Sequence, residues 1–246
     1  MRHQIRSEFR KLRTTRSVWG LLVGLLALTG LATWGMLANL EIGASVALTG
    51  LPVFLELVLI VPVFVVVLGI RAYTDEARHG SIVPSLLASP DRRRVVGAKV
   101  VVIGAAAVLF SVAATALAAA ISIVWLAAGG VSIAVGAGAL AALAFKAVAV
   151  GAAWSAIGLG VGLLVSQQVA AIVGSLVWLL VGEGLVEMVA PKVAQYLPAH
   201  AANAVLGMSA GDAVVVAPFV GASLLAGWAL LSLGMGTRAM ARRDIA

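Results

Sequence analysis

Six separate apolar runs, each about as long as a helix that crosses a bilayer, constrain the fold of this chain more than any other feature. Read as helices, they cover about 17–38, 51–71, 98–127, 136–164, 168–188 and 213–236. Each reaches the roughly 20 residues that cross a hydrocarbon layer about 30 Å thick. The third and fourth are longer, which predicts tilt or extension beyond the lipid. Of the 246 residues, 62% are hydrophobic and only 11% are charged, against about 25% charged in a soluble domain. A single water-soluble core cannot hide that much apolar surface, so lipid is the solvent for most of the chain. The expectation is an all-α membrane protein with six transmembrane helices in one domain covering 1–246.

The cations give the sidedness. All lysines and arginines except Lys146 and Lys192 fall in three blocks. These are Arg2, Arg6, Arg10, Lys11, Arg13 and Arg16; then Arg71, Arg78, Arg92, Arg93, Arg94 and Lys99; then Arg238, Arg242 and Arg243. The net charge is +7, which in another context would suggest nucleic acid. Here every block borders an apolar run, as topology signals and lipid-headgroup contacts do. With six spans, 1–16, 72–97 and 237–246 share one face, while 39–50, 128–135 and 189–212 hold only Lys192 as a cation. Both termini are therefore expected in the cytoplasm. The first run is too long for the apolar core of a signal peptide and no small-residue cleavage site clearly follows it, so we read a retained helix.

Two shorter segments have their own signatures. In Arg2 to Arg16 the apolar residues Ile5, Phe9 and Leu12 recur at helical spacing among basic residues, which predicts an amphipathic helix in the cytoplasmic interface. The outer segment 189–212 carries Pro191 and Pro198 with Val193, Tyr196, Leu197, Val205 and Leu206. That pattern predicts one or two short helices on or dipping into the outer leaflet. Gly151, Gly158, Gly160, Gly162 and Gly174 are expected to mark close helix contacts. Trp19 and Trp34 fall near opposite ends of the first span and Trp125 near the outer end of the third, where interfacial belts form, while Trp154 and Trp178 lie deeper.

Catalytic chemistry is poorly supplied. There is no cysteine, hence no disulfide, thiolate metal site or cysteine nucleophile. No phosphate-binding GxxxxGK[ST] and no HExxH occur. His3, His79 and His200 lie in three separate regions, so no metal site is expected. The glutamines Gln167 and Gln168 are read as solvating a cytoplasmic turn. Four charges fall within or near spans: Glu56, Lys146, Glu183 and Glu187. Such groups usually pair or face a cavity. At about 1.5 Å per residue, Glu56 and Glu183 lie about 8 Å from the outer ends of their helices and Lys146 about 15 Å. Lys146 is thus expected to pair with one of the two carboxylates, and Glu183 and Glu187 to share a helix face. The pair would order the bundle or form a polar patch at an outer gate.

The most informative stretch runs Arg71-Ala72-Tyr73-Thr74-Asp75-Glu76-Ala77-Arg78-His79-Gly80-Ser81-Ile82, then Leu86-Leu87, Ser89-Pro90, Arg92-Arg93-Arg94 and Lys99. With the run Ser7-Glu8-Phe9-Arg10-Lys11-Leu12-Arg13 before the first span, it resembles bacterial type-2 ABC exporter permeases. Ser81 stands where that family often has threonine and keeps the hydroxyl. The resemblance implies a plasma-membrane permease subunit without its own ATPase site. It implies a separate ABC ATPase in two copies, which would bind ATP and magnesium, and a second permease copy or relative. The cargo would be a hydrophobic or amphipathic drug, peptide or lipid. It also implies a coupling helix within about Thr74 to Leu87, docking on the ATPase through Asp75, Glu76, Arg78, His79, Gly80 and Ser81, braced by 4–16. Asp75 and Glu76 would sit near that helix's start, where carboxylates suit the dipole. A central substrate path through Phe54, Leu57, Val58, Trp178 and Leu179 rests on the resemblance alone. The alternatives are a non-transporting sensor or immunity subunit of an ATPase complex, and a membrane-embedded lipid enzyme.

Overall fold

The computed structural model describes residues 2–39, 60–78, 92–129, 137–207 and 216–242. Among the described residues there is no strand. The helices are α1 (Arg2–Thr14), α2 (Arg16–Ala38), α3 (Val61–Arg78), α4 (Arg92–Ala128), α5 (Ala137–Val165), α6 (Gln168–Val189), α7 (Pro191–Ala194), α8 (Pro198–Leu206) and α9 (Pro218–Arg242). Five of them, namely α2, α4, α5, α6 and α9, are long and apolar enough to cross a membrane. The expected second span falls partly on 51–59, outside the described residues.

Several helices outrun the apolar patterns that announced them. The second was expected to end near residue 71, yet α3 continues to Arg78. The Arg71–Asp75 pair, one turn apart at 3.0 Å, supports that extension. Helix α4 begins at Arg92 rather than near 98, and α9 continues to Arg242 rather than near 236. Apolar content reports where lipid is, whereas a helix continues wherever its backbone bonds and local pairs persist.

Helix α5 is the axis of the bundle, packed against α3, α4 and α9. Its glycines explain how. A Cβ on Gly158 would run into the Val66 backbone, and one on Gly162 would sit 2.7 Å from the Ile70 carbonyl oxygen. Facing them, Gly69 meets the α5 backbone at Ser155 and Leu159. On another side, Gly160 and Gly236 bring α9 equally close. In lipid, where burial of apolar surface does not drive helices together, such backbone approach supplies the packing. Gly151 meets Ser111 of α4 as expected, but Gly174 has open space around it and marks no contact.

Three buried threonine hydroxyls are satisfied locally. Thr33, Thr74 and Thr115 return their hydroxyls to carbonyls one turn back, at 2.8, 3.0 and 2.7 Å. Between α5 and α6 the chain reverses through Ser166 and Gln167, with Ser166 in the left-handed region at φ 60°. Within α6, residues Trp178–Gly182 form a π-helical turn in which the Glu183 N–H bonds the Trp178 carbonyl five residues back. Past α6, the short helices α7 and α8 each open on a proline at the first turn. Helix α8 is largely buried against α9 and α5, ending at Gly207 with φ 79°.

Candidate functional site

The charged residues concentrate at the end of the bundle where α1 packs. Helix α1 turns Gln4, Ile5, Glu8, Lys11 and Leu12 inward and leaves Arg6, Arg10 and Arg13 exposed. Phe9, on the same stripe as Ile5 and Leu12, is 57% exposed where those two are half-buried.

Glu8 and Lys11 meet Glu76 from the last turns of α3 and Lys99 from the start of α4. Lys11 Nζ lies 2.8 Å from Glu8 Oε1 and 2.8 Å from Glu76 Oε1. Lys99 Nζ lies 2.9 Å from Glu8 Oε2 and 2.8 Å from Glu76 Oε1, and it donates to the Ala72 carbonyl at 3.0 Å. Each ammonium therefore touches both carboxylates, closing an alternating ring of balanced charge. The Lys99 side chain is 2% exposed, so its charge is tolerated only because this ring surrounds it. Burial pushes the Glu8 carboxyl up, but Lys99 and Lys11 more than offset this and hold it below its ordinary value. For Lys11 burial acts downward, and the bonds to Glu76 and Glu8 prevail and raise it. Beside the ring lies a cavity of about 330 Å³ lined in part by Leu12, Arg71 and Asp75.

Asp75 joins a further element. Its Oδ2 accepts from Arg71 at 3.0 Å, and its Oδ1 accepts from the Gln168 amide at 2.7 Å. Gln168, read from sequence as solvating a turn, thus ties the start of α6 to the end of α3. Asp75 and Glu76 stand in the closing turns of α3, not at the start of a new helix, and both engage the bundle's own residues. Arg78 ends α3 exposed to its surroundings. His79, Gly80 and Ser81 lie outside the described residues, as do Glu56, Phe54, Leu57 and Val58.

At the opposite end, of the two carboxylates expected to pair with Lys146, Glu183 takes another partner and Glu56 lies outside the described residues. Glu183 Oε2 accepts from the Ala199 backbone N–H at 2.9 Å, in the first turn of α8. Lys146 donates to the Leu206 carbonyl at 3.2 Å, at the last turn of α8. The two charges hold opposite ends of one short helix, each with the sign its dipole favours. Glu183 and Glu187 do share a face, because both reach His200, at 3.6 and 3.5 Å. Trp178 and Leu179 line an apolar groove of about 350 Å³ between α5, α6 and α9, together with Trp154 and Trp228. Gly182 permits this placement of Trp178, whose ring occupies the space a Cβ would need.

Sequence reasoning missed the roles of Glu8, Lys11 and Lys99. Two signals could have found them: Glu8 is the lone acid in a strongly basic segment, and Lys99 is a lone cation inside an apolar run. It also passed over Gly207-Met208-Ser209-Ala210-Gly211, which has the spacing of a hydrolase nucleophile elbow. That elbow needs a strand leading into the serine, whereas here a helix leads in and Gly207 is its left-handed cap. Residues 208–211 lie outside the described residues.

Long apolar helices tied together at one end by a ring of paired charges define a multi-pass membrane protein. A family model for ABC-2 family transporter proteins matches residues 4–190, well over half of the chain. The protein belongs to this family of ABC transporter permeases, membrane subunits that generally work with a separate ATPase. No curated protein matches the chain.

Proposed function

We propose that the chain is the permease half of an ATP-driven exporter, with six spans and both termini in the cytoplasm. A second copy or a relative completes the path, and two ATPase subunits dock beneath. The cargo is hydrophobic or amphipathic, in keeping with the apolar groove beside Trp178 and Leu179. The observation that carries this reading is the charge ring of Glu8, Lys11, Glu76 and Lys99. It joins α1, α3 and α4 where the chain enters and leaves the coupling segment, so a push there moves three helices together. Coupling needs such a rigid element with two positions rather than a catalytic group.

Within this scheme Arg78 is the described residue that faces the ATPase, followed by His79, Gly80 and Ser81. Asp75 and Glu76 serve the same coupling indirectly, by holding the end of α3 in place. The test is co-elution of the purified full chain with candidate ATPase subunits, for wild type, Arg78→Ala and Glu76→Ala. Arg78→Ala is expected to weaken association while leaving thermal stability intact. Glu76→Ala is expected to lower stability as well. Folded protein that binds no ATPase overturns the exporter reading, whereas association without vectorial transport in vesicles points to a sensor or immunity subunit.

A further inference from the structure

The outward face of α1 is unusual for its lack of any acid. At about 100° per residue, Arg6, Arg10 and Arg13 fall within an arc of about 60°, opposite the ring-forming Glu8 and Lys11. All three are exposed, and Arg16 follows, also exposed. The only acid in this segment, Glu8, is turned inward and spent on Lys11 and Lys99. Nothing on the helix itself therefore neutralises the arginine face. Beside it stand two exposed aromatics, Phe9 at 57% and Trp19 at 52%. The Trp19 indole N–H donates to the Arg13 carbonyl at 3.1 Å, which fixes the ring against the end of α1. Helix α2, a membrane-length helix, begins at Arg16 after a single extended residue, Thr15. Arg13 and Arg16 therefore flank the junction at which α2 begins.

We propose that this face, made by Arg6, Arg10, Arg13, Phe9 and Trp19, binds the headgroups of anionic phospholipids. Guanidinium groups recognise phosphate through paired N–H donors. Exposed aromatic rings beside them suit the boundary between headgroup and acyl chain. Zwitterionic lipids also offer a phosphate, but their choline cation opposes a face of this charge. Each arginine that reaches an anionic surface strengthens the contact about five-fold. Because the opposite face of α1 carries the charge ring, lipid binding would hold the ring's outer wall in place. This rests on the reading of α1 as an interfacial helix, and it adds the class of lipid.

The experiment measures the association of spin-labelled phosphatidylglycerol and phosphatidylcholine with the full chain in bilayers, by electron paramagnetic resonance. Wild type is expected to prefer phosphatidylglycerol several-fold at low salt, less so at high salt. The preference is expected to collapse towards unity in Arg6→Gln/Arg10→Gln/Arg13→Gln, whose residues make no contact with the ring. The control is Arg238→Gln/Arg242→Gln, which changes basic residues at the end of α9. An unchanged preference in the triple variant, or an equal loss in the control, overturns the proposal. Loss of ATPase co-elution by the triple variant with lipid preference intact would also overturn it, by assigning the face to the ATPase. Failure of the exporter reading, by contrast, is seen in co-elution alone and leaves the lipid ratio as expected.

Discussion

Lys99 and Glu8 stand 91 positions apart in the chain, and Lys99 Nζ lies 2.9 Å from Glu8 Oε2. Through this contact the first helix of the described chain is fastened to the fourth. Removing the cation by Lys99→Met would leave Glu8 and Glu76 facing each other with only Lys11 between them. Breaking a buried pair in this way costs about 3 to 5 kcal/mol. The variant is expected to show a clearly lower Tm in detergent. A double-mutant cycle with Glu76→Gln should reveal coupling of about 0.5 to 3 kcal/mol. A Lys99→Met protein as stable as wild type would show that the ring contributes nothing.

The ring also sets a pH window. Glu8 is held below its ordinary value of 4.5, so its contribution is present above that value and is lost as pH falls through the lowered one. Lys11 is raised above 10.5, so its contribution is present below 10.5 and is lost as pH rises through the raised value. Docking of α1 is expected to be constant across neutral pH and to fail in acid and in strong base. The chain has no cysteine, so thiols introduced at Thr14 and Arg78 can be spin-labelled cleanly. Their separation should stay fixed near neutrality and lengthen at low pH. A change centred near neutral pH would contradict the assignment.

Two glycines of similar sequence context should respond oppositely to alanine. Gly158→Ala drives a methyl group into the α3 backbone at Val66, and overpacking of this kind costs about 1 to 3 kcal/mol. Gly174→Ala meets open space and gains up to about 1 kcal/mol of helix propensity. Thermal unfolding of the two variants distinguishes a packing glycine from an incidental one. Equal effects would mean that α5 and α3 are not in backbone contact.

Glu183 and Lys146 hold α8 at its two ends without touching each other. Each of Glu183→Ala and Lys146→Met strands a helix-end group, at about 1 to 3 kcal/mol. Hydrogen exchange across residues 198–206 should quicken in both. Their effects are expected to add, because the sites lie about 12 Å apart along the helix. Strong coupling between the two would restore the direct ion pair that spacing alone suggests.

How much of this was legible beforehand depends on the kind of force involved. The long apolar runs, the cation asymmetry and the motif around Arg71 to Lys99 are local properties, and they led to the class of protein and to the family. The short helices α7 and α8 were legible because Pro191 and Pro198 each open one. The glycines at 158, 160 and 162 were legible as contacts, but which helix each one meets was not. Glu8 and Lys99 stood out by their setting, but their pairing was illegible because the ring's four members come from three segments and side-chain charge has no periodicity. The same holds for Lys146 and Glu183, which spacing brings near one another while their partners lie on a third element.

By itself, then, the sequence determined that this chain lives in lipid, as helices, in the manner of an ABC-2 permease, because hydrophobic length and basic flanks are read one segment at a time. Only the tertiary structure decided which charges neutralise one another, because a buried charge takes whichever partner the packed backbones bring within about 3 Å. It placed Glu76 against Lys11 and Lys99 rather than at the start of a new helix, and Glu183 on the end of α8 rather than on Lys146.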